Sequence, residues 1–320
     1  MKKNRFIAVL MAIALLGTGC GFMKEDVLLA NKHGFSKDAA AVSSFTEGKA
    51  LWAGTELCIP KDTADAEDEA VSAGAALLFH LDKPEAVYAK NVYQEMNPAS
   101  ITTLFTAYVI LQSRELSDVV TVTADELANL QHTSTIGLKE GDQLTVEQLL
   151  YGMLLCSGVD AANVLAVDTA GSKAGFVRQM NKAAKELGCV DTQFQNANGL
   201  TEWGHYTTAY DIYLVVHKLI EDERFMKIIS QDAFKAEYRN AEGGVCEETY
   251  LSTVRYKEQG ITRLGSLNVI GGKTGTTSSA GHCLALILNS DSGDRYLALV
   301  LKAKSRDSLY EQIEHIVKKN

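Results

Sequence analysis

The chain has 320 residues, 46% of them hydrophobic and 22% charged, a balance that excludes wholesale disorder and supports a full core in one domain or two. A formal net charge of -9 leaves no broad basic surface, which argues against nucleic acid as a partner. Past the N-terminus no apolar run is long enough for a spanning helix.

The N-terminus reads as an export signal over residues 1–19. Lys2, Lys3 and Arg5 supply the positive start, and Phe6 to Leu16 an apolar stretch too short for a stable span. Gly17, Thr18 and Gly19 lead into Cys20, a run that resembles a bacterial lipoprotein signal, although Leu16 stands one place further from the cysteine than in the usual pattern. The resemblance implies lipidation of Cys20; plain cleavage or an uncleaved anchor stay open. A lipid anchor would hold the protein on the extracytoplasmic face of the membrane without a spanning helix. Residues 20–70 are polar, acidic from Lys61 to Glu69, and read as a tether leading to a domain over residues 71–320.

Ala75 to Leu81 and Ala86 to Lys90 flank the Asp82-Lys83-Pro84-Glu85 turn and predict a β-hairpin. Ser100 opens a helix in which Ile101, Leu104, Phe105, Tyr108 and Leu111 recur at helical intervals. Thr145-Val146-Glu147-Gln148 fits a capping box before Leu149, Leu150 and Met153. Asp160 to Ala170, Lys173 to Leu187 and Thr208 to Ile220 read as further helices. After about residue 233 the pattern turns to strands, with Leu267 to Ile270, Ala285 to Leu288 and Tyr296 to Leu301. A last helix, Leu309 to Lys318, ends in lysines that suit the negative end of a helix dipole. The whole predicts one sheet assembled from both ends of the chain, with a helical lobe inserted.

Without Cys20, the cysteines are Cys58, Cys156, Cys189, Cys246 and Cys283, an odd set with no C-x-x-C pair. Cys156 and Cys283 sit in apolar runs and read as small buried hydrophobes, while pairing of Cys58 with Cys246 stays open. The histidines show no metal-ligand spacing, so no metal and no cofactor is expected.

A serine hydroxyl attacks a carbonyl poorly unless a neighbour takes its proton. Ser100 stands at a helix start behind Pro98, a place where serine also serves simply as an N-cap. Further along come Ser157-Gly158-Val159-Asp160-Ala161-Ala162-Asn163, then Asn198-Gly199-Leu200 and His205-Tyr206-Thr207-Thr208-Ala209-Tyr210-Asp211, and finally Gly272-Lys273-Thr274-Gly275-Thr276-Thr277. In order and spacing, over roughly residues 70 to 320, these resemble the motifs of the serine D-Ala-D-Ala carboxypeptidases, the low-molecular-mass penicillin-binding proteins. Simpler readings stand beside each: Ser157-Gly158 as a helix-ending turn, Lys273 as a solvated strand lysine.

The resemblance implies an α/β (α+β) fold of the β-lactamase/transpeptidase type, an antiparallel sheet with flanking helices plus a helical lobe, and a cleft between. It implies Ser100 as the acyl-accepting nucleophile, Ser157 as a proton relay, and Lys273, with Thr274, Gly275 and Thr276, as the binder of a substrate carboxylate. Backbone N–H groups of Ser100 and Thr276 would form the oxyanion hole. The implied partners are a peptidoglycan stem peptide ending in D-Ala-D-Ala, β-lactams, and the membrane through the lipid anchor. The chain ends soon after its last helix, which leaves no place for the C-terminal β-domain many relatives carry; Cys20 would supply attachment instead.

Two positions depart from the pattern. Thr103 stands where the family has its lysine base, and Val159 where the second motif has asparagine. General-base catalysis is worth about 10²–10⁴-fold, so a strongly reduced activity is expected. Lys273 acting through Ser157 is a conceivable substitute base. The alternative is a non-catalytic stem-peptide binding protein; a β-lactamase-like hydrolase is disfavoured, because no segment offers that group's deacylating glutamate.

Overall fold

The protein is described by a computed structural model that covers residues 57–60 and 68–320; the export signal, Cys20 and most of the expected tether lie outside the described residues. The first strands, β1 (Ala75–His80) and β2 (Ala86–Lys90), form the expected hairpin. Helix α1 (Thr102–Leu111) follows, then the short strands β3 (Val119–Thr121) and β4 (Gln143–Thr145). A helical run comprises α2 (Val146–Leu155), α3 (Val159–Ala170), α4 (Lys173–Glu186), α5 (Ala209–Leu219) and α6 (Glu223–Ile229). The hairpin β5 (Ala233–Arg239) and β6 (Val245–Leu251) leads through a single turn of helix, α7 (Arg255–Glu258), to β7 (Arg263–Leu264) and β8 (Leu267–Thr277). The chain closes with β9 (Gly281–Asn289), β10 (Arg295–Ala303) and α8 (Arg306–Val317).

β1 pairs antiparallel with β10, from Ala75 opposite Leu301 to His80 opposite Tyr296, so the two ends of the domain meet in one sheet. That sheet has six strands in the order β2-β1-β10-β9-β8-β7. Its central strands are apolar at nearly every position because both faces are covered. In β10, Leu297, Leu299 and Leu301 enter the core shared with the helical lobe. Ala298 and Val300 point the other way, into a second core with Leu309, Ile313, Ile316 and Val317 of α8. β9 divides in the same manner, with Cys283, Ala285 and Ile287 on one side and Leu284, Leu286 and Leu288 on the other.

The capping box of α2 is present: Thr145 Oγ1 accepts from Gln148 N at 3.2 Å, and Gln148 Oε1 accepts from Thr145 N at 2.8 Å. Elsewhere the sequence reading needs correction. Ser100 does not begin an α-helix. Ala99–Ile101 form one 3-10 turn, and the α-helix starts at Thr102. A second sheet, in the order β3-β4-β5-β6, was not anticipated, because strands of three residues are too short to show alternation. Cys156 is only half-buried, since it caps the end of α2 and lies at the surface of the lobe. Lys319, expected to serve the end of the last helix, pairs with Asp68 at 2.9 Å. All five described cysteines are free thiols.

Candidate active site

The Ser100 turn is held in a conformation the chain would not adopt unaided. Ala99 has φ +49°, in the left-handed region that costs a residue with a side chain of the order of 1 kcal/mol or more. Asn97 Oδ1 accepts from Ala99 N at 3.0 Å, and Thr102 Oγ1 donates to Ala99 O at 2.8 Å. Two glycines let neighbouring segments close on the turn. A methyl group on Gly199 would lie 1.9 Å from Ala99 O, and one on Gly275 3.0 Å from Ser100 N. The turn is therefore clamped between the loop at Gly199 and strand β8. Ser100 is half-buried and lies inside the 3-10 turn, while the N-cap position of the α-helix that follows is Ile101, so Ser100 is not that helix's cap.

Beneath the turn lies His205, which is 4% exposed. Its Nδ1 accepts from Gln195 N at 3.2 Å, which leaves Nε2 to carry the proton and donate to Thr102 Oγ1 at 2.9 Å. Burial pushes its pKa down to about 4, so the ring stays neutral. It acts as a fixed donor under the serine.

Ser157 sits in the break between α2 and α3 with φ +62°. Asp160 fixes that break. Its buried carboxylate accepts from the backbone N–H groups of Ile136, Gly137 and Leu138, at 3.0, 3.0 and 3.2 Å, while Val159 N donates to Ser134 O at 2.9 Å. A carboxylate in the first turn of α3 also suits the helix dipole. Val159 itself is 3% exposed and brings only hydrocarbon to this corner.

Lys273, in the middle of β8, is wholly buried. Its Nζ lies 2.5 Å from Ser157 Oγ and 2.8 Å from Thr274 O. Loss of water drives its pKa down to about 7, only partly opposed by the nearby Cys156 thiol. A solvated strand lysine is excluded. Register places Lys273 and Gly275 two residues apart on β8, on one face of the strand. Gly275 lies against the Ser100 turn and Lys273 against Ser157, so neighbouring positions of β8 touch both serine segments. Thr274 Oγ1 shares a hydrogen bond of 2.6 Å with Thr253 Oγ1, and the exposed Thr276 lies 3.3 Å from His282 Nδ1.

The two sides of the candidate site are unequal. Thr103 is 2% exposed, and its hydroxyl donates back to Ser100 O at 2.8 Å, a local bond to the turn just before its helix. Among the described residues no side-chain hydrogen bond reaches the Ser100 hydroxyl. The amine stands instead against Ser157. Among the described residues no group of three or more His, Cys, Asp or Glu is gathered that would hold a metal ion.

Sequence reasoning places His205 and Asn163 within their motifs but assigns them no work. Asn163 Nδ2 donates to Glu126 O at 2.9 Å, and Asn198 Nδ2 donates to Asn163 Oδ1 at 2.9 Å. This buried amide chain carries α3 across to the loop that clamps Ala99. Its only sequence signal is a set of polar residues inside apolar segments. That marks burial, and leaves the partner unnamed.

The profile of the family described as D-alanyl-D-alanine carboxypeptidase matches residues 61–305. The chain is 32% identical over 234 residues to D-alanyl-D-alanine carboxypeptidase DacF of Bacillus subtilis, covering 70% of this chain and 55% of that protein. It is also 32% identical over 264 residues to D-alanyl-D-alanine carboxypeptidase DacC of Escherichia coli, covering 78% and 62%. It thus spans little more than half the length of these curated relatives. Among solved structures, a point mutant of Streptomyces K15 DD-transpeptidase superposes with a TM-score of 0.72 at 25% identity, over 78% of this chain and 97% of that one. Penicillin binding protein 6B from Escherichia coli gives 0.69 at 27% identity, over 82% and 80%.

Proposed function

For a chain that belongs to the D-alanyl-D-alanine carboxypeptidase family, we propose a serine-type carboxypeptidase of strongly reduced rate, acting on peptidoglycan stem peptides that end in D-Ala-D-Ala. One observation carries this reading: Lys273 is a buried amine 2.5 Å from a serine hydroxyl, on the strand that also touches the Ser100 turn.

Ser100 Oγ attacks the carbonyl of the penultimate D-alanine. Its proton passes to Ser157 Oγ as the Ser157 proton passes to Lys273 Nζ. The carbonyl oxygen becomes an oxyanion facing the N–H groups of Ser100 and Thr276. As the tetrahedral species collapses, the proton returns through Ser157 to the leaving amine of D-alanine; water then hydrolyses the acyl-serine. Lys273 begins near half-neutral, because burial brings its pKa down to about 7, and is an ammonium only while the tetrahedral species lasts. The terminal carboxylate of the substrate, placed by Lys273, Thr274 and Thr276, favours the charged form. The route is longer than a direct lysine–serine contact, and the loss of Thr103's family counterpart costs about 10²–10⁴-fold. Attachment to the outer face of the membrane through Cys20 belongs to the same proposal.

A β-lactam is the direct probe. A mass adduct on the peptide containing Ser100, with slow release of D-alanine from a stem-peptide mimic, is the expected result. Measurable binding of the mimic with neither adduct nor release would replace the enzyme by a stem-peptide binding protein, the reading that Thr103 and Val159 favour.

A further inference from the structure

Trp203 is 95% exposed, the most exposed of the large hydrophobic side chains among the described residues. Its loop is not slack. Asn196 Oδ1 accepts from Gly199 N at 2.7 Å, and Asn196 Nδ2 donates to Leu200 O at 3.0 Å and to Glu202 Oε2 at 3.2 Å. His205 N donates to Glu202 O at 3.1 Å on the other side of the ring. A backbone fixed on both flanks holds an indole out into solvent, so little conformational freedom would be lost when something stacks on it.

The loop is also tied to the cleft: Thr201 Oγ1 donates to Thr277 Oγ1 at 2.9 Å, at the far end of β8. Along that strand come Lys273 and Thr274, assigned to the substrate carboxylate, then Thr276, assigned to the oxyanion, then Thr277. A donor peptide with its carboxylate at the first pair and its reacting carbonyl at Thr276 continues past Thr277. Its remaining residues lead to the Thr201–Trp203 loop. What a stem peptide carries at that end is an N-acetylated sugar.

We propose that Trp203 is a stacking platform for the sugar ring of a glycan-linked stem peptide; this rests on the carboxypeptidase reading of the cleft. The surroundings match a sugar. Thr201, Ser278 and Ser279 are hydroxyls at the same end of β8, and Glu202 is an exposed carboxylate. An indole supplies an apolar face and one N–H donor, and the hydroxyls supply partners for the ring's own. A lipid-facing aromatic would come with basic or further apolar neighbours, and here the adjacent charge is acidic.

The chain contains two tryptophans, Trp52 and Trp203, so Trp52→Phe leaves Trp203 as the sole indole emitter. With this variant, titration of an N-acetylated disaccharide bearing a D-Ala-D-Ala pentapeptide should change Trp203 emission. Its affinity should exceed that of the bare pentapeptide roughly three- to tenfold. Trp203→Ala, with both affinities measured by titration calorimetry in place of emission, should remove that increment. Equal affinities for the two ligands, or an increment that survives Trp203→Ala, overturn the platform while bare-peptide binding upholds the cleft. Binding of neither ligand overturns the cleft reading and the platform with it. An emission change with vesicles of anionic phospholipid and none with the disaccharide-peptide makes Trp203 a membrane contact instead.

Discussion

The strand side of the candidate site and its helix side are built differently. On the strand side, Lys273 is wholly buried, engaged by Ser157, and held in register by a β8–β9 ladder that runs from Asn268 to Thr277. On the helix side the strained Ala99 turn stands with every clamp around it, yet Thr103 directs its hydroxyl back to Ser100 O. The turn is braced by Asn97 and Thr102, and no amine is among the partners of its side chains. A buried amine is costly to hold, whereas the Thr103 hydroxyl is satisfied by a backbone carbonyl three residues back.

The largest effect should come from removing the remaining amine. Lys273→Met should abolish β-lactam acylation, by about 10³-fold or more, while leaving the melting temperature unchanged or higher, since a buried amine with no carboxylate against it becomes an apolar side chain. Intact-protein mass spectrometry and a thermal scan report the two together. Acylation that survives Lys273→Met would show that the strand side is not the source of the base.

Restoring the helix side is the complementary test. Thr103→Lys combined with Val159→Asn should raise the acylation rate by about 10²–10⁴-fold. No gain would mean that the two halves differ by more than these two positions.

The asymmetry also predicts a pH profile. With a base whose pKa lies at about 7, the rate of acylation should rise with pH up to about 7 and level off above it. Folding stability carries the same sign. The folded state binds fewer protons than the unfolded chain between about pH 7 and the ordinary lysine range, so stability should rise with pH across that window. An acylation rate that is flat from mildly acidic to mildly alkaline pH would detach Lys273 from the chemistry.

The smallest expected change concerns the clamp under the serine. His205→Phe removes the donor to Thr102 and the acceptor for Gln195 N, and should cost about 1–2 kcal/mol in denaturant unfolding. Acylation should fall only severalfold. A loss as large as that of Lys273→Met would make His205 part of the proton route, against its ring being neutral with a pKa pushed down to about 4.

By itself the sequence was enough for the hairpin at Asp82–Glu85, the capping box of α2, and the pairing of early and late strands in one sheet. Each of these depends on local chemistry or on periodicity that repeats over several residues. The strands of three residues in the second sheet were not legible, because pairing partners far along the chain create them. Nor did the spacing of motifs say which serine the amine would face. Sequence shows that position 103 is a threonine. Only the packing of β8 against the α2–α3 break determines that Lys273 is dry, drawn down to about 7 and placed against Ser157. Burial and contact across a fold depend on all the elements at once, and no local stretch of residues encodes them.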